Sequence, residues 1–326
     1  MAGHQPNPDP VPAVDAHDYL KLVFNPDGTV TRGLDFATTP AEPDPDQPSA
    51  VRTKDVPLDP THNTWARIYV PPPSPAPDQK LPLIVYYHGG GFVFVTPSAT
   101  VNHDFCSLMA AKLCAVVVSP SYRLAPEHRL PAAYDDAVEA LRWVRTAEDE
   151  WLRERVDFSR CFLMGTSAGG NIAYHVGLRA CGAAAADLEP LVIRGLILHH
   201  PGFGRSKRTE SEVRFFNNPT LPVNGADLLW ELALPAGADR DHEYCNPMSV
   251  DRSEEWERMK VKGWRVVVVA GGGDPMIDQQ RELAAQLEAK GVDVVRIFGG
   301  EGDYHGVEVM EPAKAELLVE KLKGIV

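Results

Sequence analysis

Basic charge is in short supply: 32 Lys and Arg face 45 Asp and Glu, for a net charge of −13. So acidic a chain repels phosphate backbones, so nucleic acid is not an expected partner, and the charge reads as a source of solubility. Cysteine is scarce too. The five, Cys106, Cys114, Cys161, Cys181 and Cys245, are odd in number and form no CxxC pair. That pattern argues against a disulfide framework or a cysteine zinc site and predicts reduced, mostly buried thiols. No apolar run approaches the length of a membrane span. The opening MAGHQPNPDPVPAVDAHDY carries four prolines and three acids but no apolar core of a secretory signal, which predicts a cytoplasmic protein. No internal repeat is visible. Gly271-Gly272-Gly273 lacks a lysine in phosphate-loop spacing, so a nucleotide-binding loop is not expected there.

What is present is a globular composition, 44% hydrophobic and 24% charged, over 326 residues. That length suits one α/β domain. Residues 1–13 are proline-rich. Residues 14–24 predict a short amphipathic helix closed by the turn Asn25-Pro26-Asp27-Gly28. Residues 37–49 read as loop. Strands are predicted at 51–58 and 64–70, followed by a proline cluster at 71–77. From residue 81 a regular rhythm begins. Strands at 81–88, 115–121, 161–165, 193–199, 265–271 and 292–298 alternate with helices at 103–113, 131–146, 169–181, 276–290 and 312–323. The strands are apolar on both faces, as parallel strands covered on both sides must be. The alternation predicts an α/β fold, a doubly wound and mostly parallel sheet with the two early strands as an antiparallel edge. Residues 202–262 exceed a usual connection and hold a predicted helix at 225–234, which reads as an insertion over the carboxyl edge of the sheet.

Four motifs carry chemistry. Gly165-Thr166-Ser167-Ala168-Gly169 lies between a predicted strand and a predicted helix. The pentapeptide alone is unspecific, but this context suits a nucleophile elbow, whose small residues let neighbouring chain pass close. His88-Gly89-Gly90-Gly91 follows the strand at 81–88. Its glycines free the backbone to aim N–H groups at a developing oxyanion, joined by the N–H of Ala168. Asp274 follows the strand RVVVVAG, and His305 follows the next strand, giving the order Ser, acid, His of the α/β-hydrolases. In that arrangement the imidazole activates Ser167 and the carboxylate orients the imidazole. Asp278, inside a predicted helix, and Asp303, on the histidine's own loop, are rival acids. His199 and His200 end a strand and read as structural or pocket-lining.

Taken together, HGGGFVF (88–94), SYRLAPEHRLPAAYDD (121–136), GTSAGGNIAYH (165–175), RDHEYCNP (240–247), GDPMID (273–278) and DYHG (303–306) resemble plant carboxylesterases of the hormone-sensitive-lipase-like branch. The likeness runs over roughly 14–325 and includes NPDGTVTR (25–32). It implies an α/β-hydrolase fold with a helical cap, a monomeric or homodimeric enzyme, no cofactor and no metal. It implies Ser167, Asp274 and His305 as catalytic triad, with Gly89, Gly90, Gly91 and Ala168 as oxyanion hole. The expected organisation is a proline-rich segment with a cap helix over 1–50 and a hydrolase domain over 51–326, its cap inserted at about 202–262. The family's relatives include gibberellin receptors that lack the catalytic histidine and hydroxyisoflavanone dehydratases, some with Thr at the nucleophile. This chain has His305 and Ser167, which favours ester hydrolysis over a dehydratase or lyase, or a gibberellin- or strigolactone-type binding protein. Phe92, Phe94, Phe203, Phe215, Phe216 and Trp230 are candidate pocket residues, and they point to a small apolar or aryl carboxylic ester as substrate.

Overall fold

The computed structural model describes residues 13–44, 50–72, 79–182 and 187–326. The proline-rich readings at 1–12, 45–49 and 73–78 fall outside the described residues. Ten strands are described: β1 Leu22–Phe24, β2 Val30–Arg32, β3 Arg52–Asp59, β4 Thr64–Val70, β5 Leu81–Tyr87, β6 Val116–Pro120, β7 Val156–Thr166, β8 Ile193–His199, β9 Arg265–Ala270 and β10 Asp293–Phe298. All but the first two join one sheet in the order β10-β9-β8-β7-β5-β6-β4-β3. The run from β6 to β10 pairs in parallel, while β3 pairs β4 and β4 pairs β6 antiparallel. The early strands therefore form the expected antiparallel edge.

The described helices are α1 Ala16–Leu20, α2 Thr100–Leu113, α3 Ala132–Thr146, α4 Glu150–Arg155, α5 Ala168–Cys181, α6 Glu210–Arg214, α7 Val223–Ala233, α8 Ser253–Val261, α9 Ile277–Ala289, α10 Val307–Met310 and α11 Pro312–Leu322. Alternate strand residues point to opposite sides of a sheet. Leu83 and Val85 of β5, Val116 and Val118 of β6 and Leu163 of β7 accordingly join one core with Leu141 of α3, Ile172 of α5, Trp256 of α8 and Leu283 of α9. Their neighbours Ile84, Tyr86, Val117, Phe162 and Met164 join a second core with Phe105 and Met109 of α2 and Leu318 and Leu322 of α11. Burial on both faces explains why the strands read as unbroken apolar runs. β10 departs from that reading: as an edge strand, it has no fully buried residue despite its apolar sequence.

The N-terminal segment also differs from the expected continuous helix. Asp15 caps α1, its carboxylate accepting from Asp18 N at 3.0 Å, but Lys21 turns left-handed at φ 47° and ends the helix after one turn. Leu22–Phe24 then pairs with Val30–Arg32 as a hairpin around the Asn25–Gly28 turn. In this hairpin Leu22 is buried, while Val23 and Phe24 are exposed. Arg32 fastens the hairpin to the main body. Its guanidinium donates to Val93 O at 2.7 Å and Ala125 O at 2.8 Å and pairs with Glu127 at 2.6 Å.

Between β8 and β9 lie α6, α7 and α8. In α8, Trp256 Nε1 donates to Tyr174 Oη of α5 at 3.2 Å, so α8 packs on α5.

The turn from β7 into α5 tolerates no extra atom. A Cβ on Gly165 would lie 2.0 Å from Gly169 O, and one on Gly169 would lie 1.9 Å from Tyr87 O. Gly169→Ala should therefore cost about 3 kcal/mol or abolish folding, whereas Gly300→Ala, with open space at its Cβ, should change stability by less than about 0.5 kcal/mol. Urea unfolding of the two variants checks this, and equal stabilities would contradict it.

Candidate functional site

β5 and β7 are neighbours, while β6 lies on the far side of β5. The chain order reverses here, and open α/β sheets place ligands at the carboxyl ends of such a pair. The glycine loop leaves β5 and the serine turn leaves β7. Ser167 has φ 57° and ψ −118°, a conformation that costs a non-glycine residue of order 1–3 kcal/mol. Backbone bonds hold it there. Ser167 N donates to His199 O at 2.9 Å, and Ser167 O accepts from Gly202 N at 2.9 Å and Asn171 N at 3.1 Å.

His305 Nε2 lies 2.8 Å from Ser167 Oγ, and His305 Nδ1 lies 2.8 Å from Asp274 Oδ2. The two loops carrying acid and imidazole are zipped together: Gly272 N donates to Gly300 O at 2.9 Å and Gly273 N to Asp303 O at 3.0 Å. The three glycines thus serve close packing of two loops. A Cβ on Gly271 would sit 2.0 Å from Asp303 O. The rival acids are engaged elsewhere. Asp278 accepts from Ser211 N, and Asp303 accepts from Gly300 N and pairs with Lys314.

Asp274 is fully buried. Its Oδ1 accepts from Met276 N at 2.8 Å, and its Oδ2 accepts from Gln280 Nε2 at 3.0 Å and faces His200 Nδ1 at 3.0 Å. Burial alone would raise its pKa, but the adjoining His305 and His200 hold the carboxyl well below the usual carboxylate range. Glu308 was not singled out from the sequence. It bridges His199 Nε2 and His200 Nε2, both at 2.9 Å, and the two histidines likewise outweigh its burial and hold it low. The only sequence signal was two histidines at a strand end and a lone acid three residues beyond His305. Two clusters, His199/His200/Glu308 and His200/Asp274/His305, have the donor types and proximity for a metal ion. Every donor atom in them is already within 3.0 Å of a hydrogen-bond partner. Binding an ion at the second cluster would draw on Asp274 and His305 directly.

The glycine loop takes left-handed backbone at Gly90, φ 99°, and Gly91, φ 62°. A Cβ on Gly89 would lie 3.4 Å from Ser167 Cβ, so the loop runs beside the serine. His88 and Tyr122 brace it from behind. Their rings stack at 4.3 Å, and Tyr122 Oη donates to His88 O at 2.8 Å. Burial pushes the His88 pKa down to about 4.

Ser167, His305, Gly89, Gly90, Gly91 and Ala168 all line one cavity of about 440 Å³. Phe92, Phe94 and Trp230 line it, together with Leu20, Phe36, Leu229 and Met276. Phe203, Phe215 and Phe216 are not among its lining residues. Phe203 is fully buried with its ring edge-on to Tyr174, and the Phe215 ring lies under the Arg214 guanidinium. Aromatic identity did not reveal which ring turned inward. The cysteines are free thiols, all buried except Cys114. Among the described residues no helix is long and apolar enough to cross a membrane.

A family described as the alpha/beta hydrolase fold matches residues 84–308. Carboxylesterase 20 of Arabidopsis thaliana is 49% identical over 323 residues, 98% of either chain. This chain belongs to the plant carboxylesterase family. 3-O-acetylpapaveroxine carboxylesterase CXE1 of Papaver somniferum is 45% identical over 96% of this chain and 97% of its own. Among solved structures, a hyperthermophilic esterase from the archaeon Pyrobaculum calidifontis superposes with a TM-score of 0.70 at 28% identity, covering 84% of this chain and 82% of that one. Family membership places the chain among the serine carboxylic ester hydrolases. Two relatives, the tuliposide A-converting enzymes 1 and 2 of Tulipa gesneriana, are named as chloroplastic.

The brace behind the glycine loop has a pH signature. His88 is neutral when folded down to about pH 4, while the unfolded chain takes up its proton at about pH 6.5. Its contribution is complete above the unfolded pKa and is lost as pH falls towards the folded one. Between pH 7 and pH 5 the wild type should lose about 2 kcal/mol more stability than His88→Asn. Urea unfolding at both pH values checks this, and equal losses would contradict it.

Proposed function

We propose that this chain hydrolyses uncharged, largely apolar carboxylic esters through an acyl-enzyme on Ser167. The observation that carries the reading is the Ser167–His305–Asp274 chain of 2.8 Å contacts opening into a cavity with no Asp, Glu, Lys or Arg among its lining residues. His305 Nε2 takes the Ser167 proton as Oγ attacks the ester carbonyl. The oxyanion that forms is met by backbone N–H groups of the Gly89–Gly91 loop and of Ala168, the first residue of α5. The alcohol leaves with the proton from His305, and water repeats the sequence on the acyl-enzyme. Asp274 stays ionised throughout, holding the imidazole with Nε2 towards the serine. A charged acyl or alcohol group would enter this cavity without a counter-ion, at a cost in desolvation.

We also assign a cap to α1 together with the first part of the insertion, up to the end of α7. Tyr19 and Leu20 line the same cavity as Leu221, Ala226, Leu229 and Trp230. The Tyr19 hydroxyl lies 3.1 Å from Pro219 O and 2.7 Å from Thr220 O, and Asn224 Nδ2 donates to Val14 O at 3.2 Å. This differs from a cap over the whole of 202–262, because α8 packs on α5 instead.

Short-chain nitrophenyl esters should be turned over without added metal and equally well in a chelator. Ser167→Ala should lower kcat by several orders of magnitude, since such residues act as a unit. An organophosphate should label the wild type at Ser167. An adduct found at another residue with activity lost would sink the assignment. For the cap, Tyr19→Ala should raise KM for bulky esters more than for acetates. An unchanged ratio of specificity constants would reduce α1 to a surface clasp.

A further inference from the structure

Behind Asp274 the buried polar groups close into a ring, and we propose that His200, held as an imidazolium by Glu308, is a positioning residue that fixes and tempers the Asp274 carboxylate. The inference rests on the proposed roles of Ser167, His305 and Asp274.

The ring can be followed proton by proton. His200 Nδ1 lies 3.0 Å from Asp274 Oδ2, and its Nε2 lies 2.9 Å from Glu308 Oε2. A carboxylate only accepts, so each of these nitrogens must carry a hydrogen. His199 next to it closes with a single proton. Its Nε2 donates to Glu308 at 2.9 Å, and its Nδ1 accepts the Thr166 hydroxyl at 2.7 Å, which in turn accepts from Tyr86 Oη at 2.8 Å. Thr166 precedes Ser167, so the ring returns to the serine turn. His200 is thus the one member of the ring that faces an acid at both nitrogens.

The alternative, a neutral His200 beside a protonated acid, fits the donors less well. Asp274 already accepts from Met276 N and Gln280 Nε2 and faces His305 Nδ1. Burial would lower the His200 pKa, yet its two acidic partners push it up to about 9, and both carboxyls are held low. The titratable groups facing His200 are Asp274 from the loop after β9, Glu308 from α10, and the rings of His199 and His305 at 4.9 and 5.6 Å. Tyr304 and Lys314 feel Glu308 from the outer side.

The arrangement has two consequences for catalysis. A fixed charged donor on the far side of Asp274 Oδ2 restricts the carboxylate to the orientation that meets His305. The same positive charge offsets part of the carboxylate's pull on a proton at His305. His200 touches neither substrate nor reacting atoms and acts only through Asp274.

His200→Asn keeps a donor where Nδ1 stood and removes the charge. The acid limb of the kcat/KM profile should then move to higher pH. A purely structural role would lower Tm or kcat and leave the limb in place. Nitrogen NMR of the full-length wild type with labelled histidine provides a readout that needs no variant to fold. At pH 7.5 His200 should show two protonated ring nitrogens, and in Glu308→Gln it should titrate nearer neutrality. A bare ring nitrogen on His200 in the wild type at pH 7.5, or an unmoved acid limb in folded His200→Asn, overturns the proposal. Neither result touches the serine assignment, which the organophosphate adduct tests separately.

Discussion

The backbone turn at Ser167 is the constraint on which the rest of the structure depends. Its φ of 57° and ψ of −118° are costly for a serine, and they survive because β7, β8 and α5 over-determine them. Gly165 and Gly169 let the strand end and helix start approach to distances no side chain would allow. The turn projects Oγ above the carboxyl edge of the sheet, beside the glycine loop from β5 and within reach of His305. Burying β5 through β9 on both faces supplies the rigidity that holds this strained turn.

A second constraint is electrostatic. Placing Asp274 fully inside the protein requires partners for its carboxylate, because a buried charge without partners is severely penalised. Met276 N meets Oδ1, and Gln280, His200 and His305 meet Oδ2. Through His200 the penalty is shared with Glu308, so Asp274 belongs to a larger network that ties β8, β9 and α10 together. Access is organised by the opposite kind of chemistry. The cavity wall is largely aliphatic and aromatic, and Ser167, His305 and the glycine loop open onto it.

Much of this was legible in the residues. Strand–helix alternation from residue 81 indicated a parallel sheet, because unbroken apolar runs occur where both faces are covered. The elbow, the glycine loop, Asp274 and His305 were readable because their backbone and chemical demands are local: small residues at a tight turn, an acid and a base at successive strand ends. Readings that needed a partner fared worse. Leu22–Phe24 looked helical in isolation, and only pairing with Val30–Arg32 made it a strand. β10 carries a core-like sequence yet lies at the sheet edge. Phe203, Phe215 and Phe216 could not be told from Phe92, Phe94 and Trp230, since a ring's identity says nothing of the direction it faces.

The sequence by itself determined the fold class, the order of the chemical groups and the family, because these follow from periodicity and from short motifs read within a few residues. Tertiary structure alone decided three things. It sorted the aromatics between cavity and core. It brought α7 to the cavity wall and set α8 against α5. It also joined His199, His200 and Glu308, 109 residues apart at the extremes, into one charged network behind Asp274. Each depends on which surfaces meet after the sheet has formed, and contact between distant residues leaves no pattern in the local order of the chain.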